Sequence, residues 1–433
     1  MDPFIIGILG LFMLIVFLAI GLPIGISMGL VGFLGLFIMR GDAAFATLYT
    51  IPYSSMASWS LSVVPMFLLM GYIAFYAGFT KDAYEAAYRW VGRLPGGVAI
   101  ATLFGAAAFG ACCGSSVAAT AALGKIALPE MRKFNYSTRL ASGVVAMGGT
   151  LAALIPPSIL LVLYGIVTEQ SVGKLLIAGI FPGLLSMTLF SLLVLARAVI
   201  NPKLAPRGES STIKERLLSL KNAIGILLIF LFVIGGIYTG IFTPTEAGAL
   251  GAFITLLLSL VMGRMRWGNF KEAVMESLRV TSSVFLIVLG AYIFIQFLAV
   301  SRMPIELSEW VASLPINRYL ILIGIIIVYL FLGCFLDAIG LLLLTVPFIF
   351  PAIKALGFDP IWFGVLVVKL IEIGLLTPPV GIQTYVLKGV APDIRLEDIF
   401  LGFLPFFMVD LFLVIGLLII FPEIATFLPS MMR

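Results

Sequence analysis

The sequence predicts an all-α polytopic membrane protein with inverted structural repeats, two re-entrant helical hairpins and two broken helices. Three observations support this fold class. Hydrophobic residues make up 62% of the 433-residue chain and charged residues only 11%, whereas a soluble domain carries about 25% charged residues. A long stretch of the chain occurs twice. Each copy has a double proline inside an apolar run, at Pro156-Pro157 and at Pro378-Pro379.

The two copies align at a nearly constant spacing. Trp90 returns as Trp310, 220 residues later, and the double proline returns 222 residues later. Further matches at an offset of 223 residues are Gly110 with Gly333 and Gly179 with Gly402. Paired Gly/Pro interruptions at matching places in two halves of a membrane protein point to the binding site of a transporter. Duplication of a membrane scaffold that does not transport is the alternative.

Membrane elements follow one another along the chain, with roughly 20 residues for each full crossing. They are predicted near 4–21, 23–39, 58–78, 97–128 (hairpin), 138–169, 175–198, 222–241, 246–263, 280–299, 318–350 (hairpin), 360–388 and 399–427. The N-terminal element is interpreted as a first membrane helix, because it lacks the basic region of a signal peptide. With the N-terminus outside, basic residues concentrate in cytoplasmic loops. The two copies then face opposite ways, which predicts inverted repeats.

The predicted organisation alternates scaffold helices and repeats. Scaffold helices occupy 1–79 and 222–300, the first and second repeats occupy 80–198 and 301–427, and a cytoplasmic linker occupies 199–221. Each repeat opens with an amphipathic arm, Thr80–Arg93 or Arg302–Ser313. Charged residues beside a tryptophan are expected of a helix that lies in the membrane interface. An ordinary surface loop is the alternative for each arm.

Several short motifs predict helix starts. Thr243-Pro244-Thr245-Glu246 has the form of a capping box, in which threonine and glutamate satisfy the first free N–H groups of a helix. We therefore interpret Glu246 as structural. Asp359-Pro360 and Asn135–Ser137 are similar helix starts in the two copies.

Composition also excludes several classes of function. The chain has no histidine, and its three cysteines lie in apolar segments without metal-binding spacing. These features argue against a membrane protease, an oxidoreductase or a haem protein. No Walker motif is present, so ion gradients are the expected source of energy. We predict that the protein is not an enzyme, needs no cofactor beyond a coupling ion and has no nucleic-acid partner.

Two interruptions of apolar sequence are candidate cation sites. Gly114, Ser115 and Ser116 lie between flanks that are too short for two full spans, so a hairpin tip at mid-membrane fits. Its hydroxyls and carbonyls suit Na⁺, although Gly and Ser also mediate plain helix packing. Asp337 lies in the matching region of the second copy. An intramembrane carboxylate is by default a functional hypothesis, and capping of a hairpin turn is the alternative.

The two double prolines predict breaks within 148–158 and 374–381. Unwound carbonyls can ligate Na⁺, and half-helix N-termini can face an anion. A simple proline kink is the alternative. Lys369 and Glu372 precede the second break and lie three residues apart on one helical face. The favoured interpretation is a local ion pair between them, and the alternative is attraction of an anionic substrate by Lys369.

The chain resembles the large membrane (M) subunit of tripartite ATP-independent periplasmic (TRAP) transporters over essentially its whole length. The matching pieces are Gly-Ser-Ser-Val-Ala-Ala-Thr (114–120), Leu-Ile-Pro-Pro-Ser (154–158), Thr-Pro-Thr-Glu-Ala (243–247), Phe-Leu-Asp (335–337), Gly-Phe-Asp-Pro-Ile-Trp-Phe-Gly-Val-Leu-Val-Val (357–368) and Glu-Ile-Gly-Leu-Leu-Thr-Pro-Pro-Val-Gly (372–381). The resemblance implies an elevator-type, Na⁺-coupled importer of organic acids, similar in fold to the ion transporter superfamily. Hairpins and broken helices would move against the scaffold in a bacterial inner membrane. A periplasmic substrate-binding (P) protein would deliver a small organic anion, a carboxylate or a sulfonate. A small four-helix membrane (Q) subunit, expected here as a separate chain, would brace the M subunit in the lipid bilayer.

The resemblance also implies the binding residues by position. One Na⁺ site would use Gly114, Ser115, Ser116, Gly149, Thr150 and Ser158. The other would use Gly333, Asp337, Gly374, Thr377 and Gly381. Substrate contacts would come from Ser116, Pro157, Lys369, Pro379 and Gln383. Three places depart from the family pattern, namely Cys113, Lys369 and the run Gln383-Thr384-Tyr385.

The predicted function is Na⁺-coupled secondary active import of a small organic acid. The nearest alternative is a stand-alone ion-coupled permease of a related inverted-repeat fold, which would transport without a periplasmic protein. A membrane-embedded enzyme, a structural bundle and an ion channel are the other classes. The sequence does not identify the organic acid.

Overall fold

The computed structural model describes residues 2–432 as a bundle of α-helices. In chain order they are α1 (Pro3–Ala19), α2 (Ile24–Arg40), α3 (Ala44–Met56), α4 (Val63–Tyr76), α5 (Phe79–Val91), α6 (Gly97–Cys113), α7 (Ser116–Lys133), α8 (Thr138–Leu151), α9 (Ile159–Thr168), α10 (Val172–Ala178), α11 (Ile180–Ile200), α12 (Ile213–Tyr238), α13 (Pro244–Val261), α14 (Trp267–Ser301), α15 (Met303–Ser313), α16 (Arg318–Gly333), α17 (Ala338–Ala355), α18 (Pro360–Gly374), α19 (Ile382–Val390), α20 (Leu396–Met408), α21 (Ile415–Ile420) and α22 (Glu423–Ser430). Within residues 2–432, eight helical stretches are long and apolar enough to cross a membrane. The predicted all-α polytopic class is confirmed.

Two elements differ from the prediction. No membrane element is predicted between 39 and 58, yet this segment contains α3, with Pro52 inside the helix. Helix α14 begins at Trp267 instead of near 280 and runs for 35 residues. Its first turns carry charged side chains that are good helix formers, so the helix continues beyond the apolar segment that hydrophobicity alone detects.

Each copy forms a helix–turn–helix at its predicted hairpin. Helices α6 and α7 are joined by Gly114 and Ser115, and α16 and α17 are joined by residues 334–337. Gly114 has φ +59°, a left-handed conformation that glycine adopts without steric penalty at the end of a helix. The helical hairpins are therefore where the sequence predicted them.

Each copy also contains a broken helix. Helix α8 ends at Leu151 and the chain resumes as α9 at Ile159, while α18 ends at Gly374 and resumes as α19 at Ile382. The double prolines lie inside these breaks, and both Pro–Pro bonds are cis. Proline has no N–H to donate within a helix, so the double prolines interrupt both helices.

The arms and capping motifs follow the prediction as well. The arms are helices α5 and α15, and Thr243 and Glu246 form the capping box of α13. Helix α12 begins within the predicted linker, 199–221. Thr212 and Glu215 form a second capping box, in which the Thr212 N–H donates to Glu215 Oε2 at 2.8 Å, and α12 begins there. The two reciprocal hydrogen bonds of this capping box satisfy N–H groups at the charged start of α12.

Close glycine contacts hold α2 against α14. A Cβ added at Gly32 would lie 2.8 Å from Phe294 Cα, and one added at Gly25 would lie 2.8 Å from Ile287 Cα. Small residues at such crossings let backbones approach, which is the main source of packing energy between helices in lipid. A similar contact joins Gly333 of α16 to Gly374 of α18. The second hairpin therefore packs directly on the second broken helix.

Candidate functional site

The tips of the two hairpins meet at one small cavity of about 120 Å³. Apolar residues of α9, α14 and α17 complete its wall. The polar part of the lining and the glycine beside it are Gly114, Ser115, Ser116, Asp337 and Glu372. The cavity therefore brings together four residues that the sequence placed in two separate sodium sites, and it adds Glu372.

Ser115 and Asp337 occupy matching positions, 222 residues apart. Each is the N-cap of the second helix of its hairpin. Ser115 Oγ accepts from the Ala118 N–H at 3.4 Å, and Asp337 Oδ2 accepts from the Gly340 N–H at 3.1 Å. Asp337 thus caps a hairpin turn and also lines the cavity. One cap bond leaves most of the acceptor capacity of a carboxylate free.

Glu372 joins the two copies across the cavity. Its side chain is fully buried. Ser116 Oγ donates to Glu372 Oε1 at 2.9 Å, and Gln383 Nε2 donates to Glu372 Oε2 at 2.8 Å. Glu372 therefore ties the tip of the first hairpin to both halves of the second broken helix.

The predicted ion pair between Lys369 and Glu372 is wrong. Lys369 Nζ lies 2.8 Å from Asp410 Oδ1, and both side chains are 0% exposed. Asp410 lies in a π-helical turn, Val409–Val414, that follows α20, and the ammonium also lies 5.4 Å from the centre of the Phe190 ring. Lys369 points toward α11 and this turn, whereas Glu372 is held by its hydrogen-bond donors. The structure does not bring Lys369 to the cavity wall.

Asp410 and the role of Glu372 are not among the features predicted from the sequence. Asp410 interrupts the apolar run Phe-Phe-Met-Val-Asp-Leu-Phe (406–412). A carboxylate inside such a run marks a candidate functional residue, so Asp410 carries the same signal as Asp337. For Glu372, a partner three residues away on its own helix is the simplest prediction.

The first predicted sodium site is compact and buried. A Cβ added at Gly114 would overlap the Pro157 carbonyl, and one added at Gly149 would lie 3.0 Å from the Ser116 carbonyl oxygen. The hairpin tip therefore touches the first broken helix. Thr150 Oγ1 donates to Met147 O at 2.7 Å, and Ser158 Oγ donates to Ala153 O. These two hydroxyls lie behind the cavity wall.

The second predicted site is more open. Thr377 Oγ1 donates to Ile373 O at 2.9 Å. Gly381 is the N-cap of α19 at φ +64°, and Pro379, one of the predicted substrate contacts, is exposed nearby. The cavity does not reach these residues. Gln383 approaches it only through Glu372.

The charge in the cavity has one sign. Two acidic side chains, Asp337 and Glu372, contribute to the lining, and no lysine or arginine does so among residues 2–432. Hydroxyls of Ser115 and Ser116 supply further oxygen atoms. A small cavity of carboxylate and hydroxyl oxygens is suited to a hard cation, which prefers oxygen ligands.

Comparison with known proteins gives the family. The family model described as the DctM component of the tripartite ATP-independent periplasmic transporter matches residues 11–424. The chain belongs to this family. The TRAP family is tripartite, and its large permeases work with a small membrane subunit and a periplasmic binding protein. The DctM-family chain is thus a multi-pass protein of the bacterial inner membrane and a permease, not an enzyme.

Individual relatives agree with this assignment. The chain is 34% identical over 405 residues to the C4-dicarboxylate TRAP transporter large permease protein DctM of Pseudomonas aeruginosa, covering 93% of this chain and 92% of that protein. It is 32% identical over 412 residues to the sialic acid TRAP transporter large permease protein SiaM of Vibrio cholerae, covering 95% of each.

A solved structure shares the fold of this DctM-family chain. The crystal structure of the Alcanivorax borkumensis YdaH transporter, which has an unusual topology, matches with a TM-score of 0.64 at 14% identity. The match covers 89% of this chain and 91% of that one.

Proposed function

We propose that this permease imports a small organic acid by Na⁺-coupled secondary active transport. The acid is a carboxylate or a sulfonate, delivered by a periplasmic binding protein. The observation that carries the proposal is the shared cavity, where Asp337 and Glu372 meet hydroxyls from the other hairpin tip without a cationic side chain in the wall.

Asp337 and Glu372 bring two carboxylates into the same cavity. A charged side chain inside the bilayer costs several kcal/mol unless it is compensated. Glu372 receives two hydrogen bonds and Asp337 one from Gly340, but neither has an ion pair within residues 2–432. Bound Na⁺ would supply the missing positive charge. An organic anion would then bind beside a neutralised site, which couples the two solutes.

The two proposed Na⁺ sites use the residues implied by the family resemblance. Site 1 comprises Gly114, Ser115, Ser116, Gly149, Thr150 and Ser158, and site 2 comprises Gly333, Asp337, Gly374, Thr377 and Gly381. Glu372 is added beside site 1, because it accepts hydrogen bonds from Ser116 of that site and from Gln383 of the second broken helix. Substrate would bind at the open second break, near Pro379 and Gln383. C4-dicarboxylate and sialic acid, named in the two relatives, are carboxylates, which supports this substrate class.

An elevator movement completes the proposal. The hairpins and broken helices contact each other directly, through Gly114 with Pro157 and through Gly333 with Gly374. The scaffold helices α2 and α14 form a separate close contact. Residues 80–198 and 301–427 would form the inverted repeats that carry the mobile elements, while 1–79 and 222–300 would stay fixed.

The test is uptake into proteoliposomes that contain the permease, its small subunit and the periplasmic protein. An inward Na⁺ gradient should drive uptake of the organic acid. Asp337→Asn should remove Na⁺ dependence while it retains the helix cap, because Asn caps as well as Asp. The matched control is Asp359→Asn, since Asp359 is also an N-cap, with its Oδ1 accepting from the Trp362 N–H at 2.8 Å, but lies outside the cavity.

Each result decides one element of the proposal. Uptake that ignores the Na⁺ gradient would refute coupling, and normal Na⁺ dependence in Asp337→Asn would remove Asp337 from the site. Equal uptake without the periplasmic protein would instead favour a stand-alone permease.

A further inference from the structure

A second, larger cleft of about 580 Å³ lies away from the cavity. Its walls are the amphipathic arm α5, the second hairpin helix α7 and the linker that precedes α12. Four basic side chains line it, Lys81 and Arg89 from α5 with Lys125 and Lys133 from α7. Transport as proposed above uses none of these residues.

The basic residues reach the cleft because of their spacing. Lys81 and Arg89 are eight residues apart on α5, as are Lys125 and Lys133 on α7, so each pair lies on one helical face. Within residues 2–432, only Arg89 of the four forms an ion pair, with Glu85 at 3.8 Å. Three lysines therefore line the cleft without an acidic partner. Lys125 is otherwise unexplained, because it lies in a hairpin of mainly apolar sequence.

Hydrogen bonds hold the linker against the arm and so define one side of the cleft. The Glu209 N–H donates to Tyr88 Oη at 3.1 Å, and the Gly208 N–H donates to Gly92 O at 2.9 Å. Both hold the linker against the arm. Tyr84 lines the cleft with 7% of its surface exposed, and its hydroxyl is buried. The groups that can reach a ligand in the cleft are therefore the lysine and glutamate side chains.

Acidic side chains restrict the chemistry of the ligand. Besides the paired Glu85, Glu130 and Glu209 line the cleft. A polyanion would be repelled by them, whereas a molecule with both an anionic and a cationic group fits both sets. The arm carries an exposed tryptophan, Trp90, as helices at the membrane–water interface do. The cleft therefore belongs at the level of the lipid headgroups.

We propose that this cleft binds the headgroup of a zwitterionic aminophospholipid. The phosphate diester would accept hydrogen bonds from Lys81, Lys125 and Lys133, and the ammonium group would lie against Glu130 and Glu209. Charge-assisted hydrogen bonds to phosphate are among the stronger contacts available at a surface. Because one wall is an arm and the other a hairpin, the bound lipid bridges these two elements.

Lipid retention tests the assignment independently of transport. The full chain, purified with its small subunit, is placed in nanodiscs of equal parts phosphatidylethanolamine, phosphatidylglycerol and phosphatidylcholine. Native mass spectrometry then measures the lipids that stay bound after release from the nanodisc. Phosphatidylethanolamine should be retained over both others. Lys81→Gln/Lys125→Gln/Lys133→Gln should reduce its retention at least about tenfold, because it removes the charged donors to the phosphate.

The matched control replaces three lysines of the linker region that lie outside the cleft, Lys203→Gln/Lys214→Gln/Lys221→Gln, and should retain the lipid like the wild type. A second variant, Glu130→Gln/Glu209→Gln, should abolish the preference for phosphatidylethanolamine over phosphatidylcholine. This variant keeps the lysines, so it tests the site even if the triple variant fails to fold.

Several outcomes would overturn the assignment. Equal loss in the control triple variant would indicate nonspecific charge attraction. Retention of phosphatidylglycerol above phosphatidylethanolamine would indicate a plain anion site. Thermal stabilisation by inorganic phosphate that matches stabilisation by the lipid would indicate a soluble ligand. Unchanged retention in both cleft variants would remove the site.

Discussion

The two copies share their interruptions but differ in charge. At an offset of 222 residues Ser115 matches Asp337, Thr150 matches Glu372 and Met147 matches Lys369, and at an offset of 223 residues Met187 matches Asp410. Every one of these charges lies in the second copy. At these four matched positions the charged side chains therefore all lie in the second copy, while the first copy has a hydroxyl or a methionine.

The two helix breaks differ in the same direction. Residues around Pro156 and Pro157 are entirely buried, and the hairpin tip at Gly114 lies against the Pro157 carbonyl. At the second break Pro378 and Pro379 are exposed, and the hairpin contact lies farther back, between Gly333 and Gly374. The first break is therefore buried beneath its hairpin, whereas the second is exposed at its double proline.

The largest test of this asymmetry removes one member of the buried ion pair. Lys369→Met should destabilise the protein by about 3–5 kcal/mol, because Asp410 would stay buried without a partner. Lys369→Met/Asp410→Met reproduces the methionines of the first copy and should recover most of that loss. Thermal unfolding in detergent measures both variants. A double variant as unstable as the single one would show that the two methionines of the first copy cannot replace the ion pair in the second copy.

A smaller loss of stability is expected at the first, buried break. Gly114→Ala should destabilise by about 1–3 kcal/mol, since the residue has φ +59° and the new Cβ meets the Pro157 carbonyl. Gly389→Ala in α19 is the control, because a Cβ there meets nothing within 4 Å. The same unfolding assay applies. Equal melting temperatures for the two variants would mean that the close contact between Gly114 and Pro157 does not contribute to stability.

The smallest expected effect compares Glu372 with Thr150, its counterpart in the first copy. Glu372→Gln should raise the Na⁺ concentration for half-maximal uptake about tenfold, since one charge-assisted contact is worth about 1.4 kcal/mol or more. Thr150→Val should raise it only about threefold, because a neutral hydroxyl is a weaker ligand. Uptake at varied Na⁺ measures both. A larger effect of Thr150→Val would contradict the prediction that Glu372 contributes more to Na⁺ affinity than Thr150.

Local signals in the sequence were sufficient for much of this framework. The double prolines mark both breaks, Gly114 and Asp337 mark the hairpin turns, and the capping box at Thr243 marks the start of α13. Each of these features depends on residues within one turn of the chain, which is why sequence patterns detect them.

Contacts between distant segments were not predictable in the same way. Lys369 has an acidic residue three positions away and another 41 positions away, and only packing of α18 against the π-helical turn selects the distant one. The convergence of Ser116, Gln383 and Glu372 likewise needs three separate elements in place. Helix α3 lies in a segment for which no membrane element is predicted, and it contains Pro52 and several polar residues.

The long helix α14 has a consequence for where it can meet α2. At about 1.5 Å per residue its 35 residues reach well beyond a hydrocarbon layer about 30 Å thick, so its charged first turns extend past that layer. Gly290 meets Gly25 at the start of α2, and Phe294 meets Gly32 midway along α2. Small residues let the two backbones approach this closely, so a larger side chain at Gly32 would force the two helices apart.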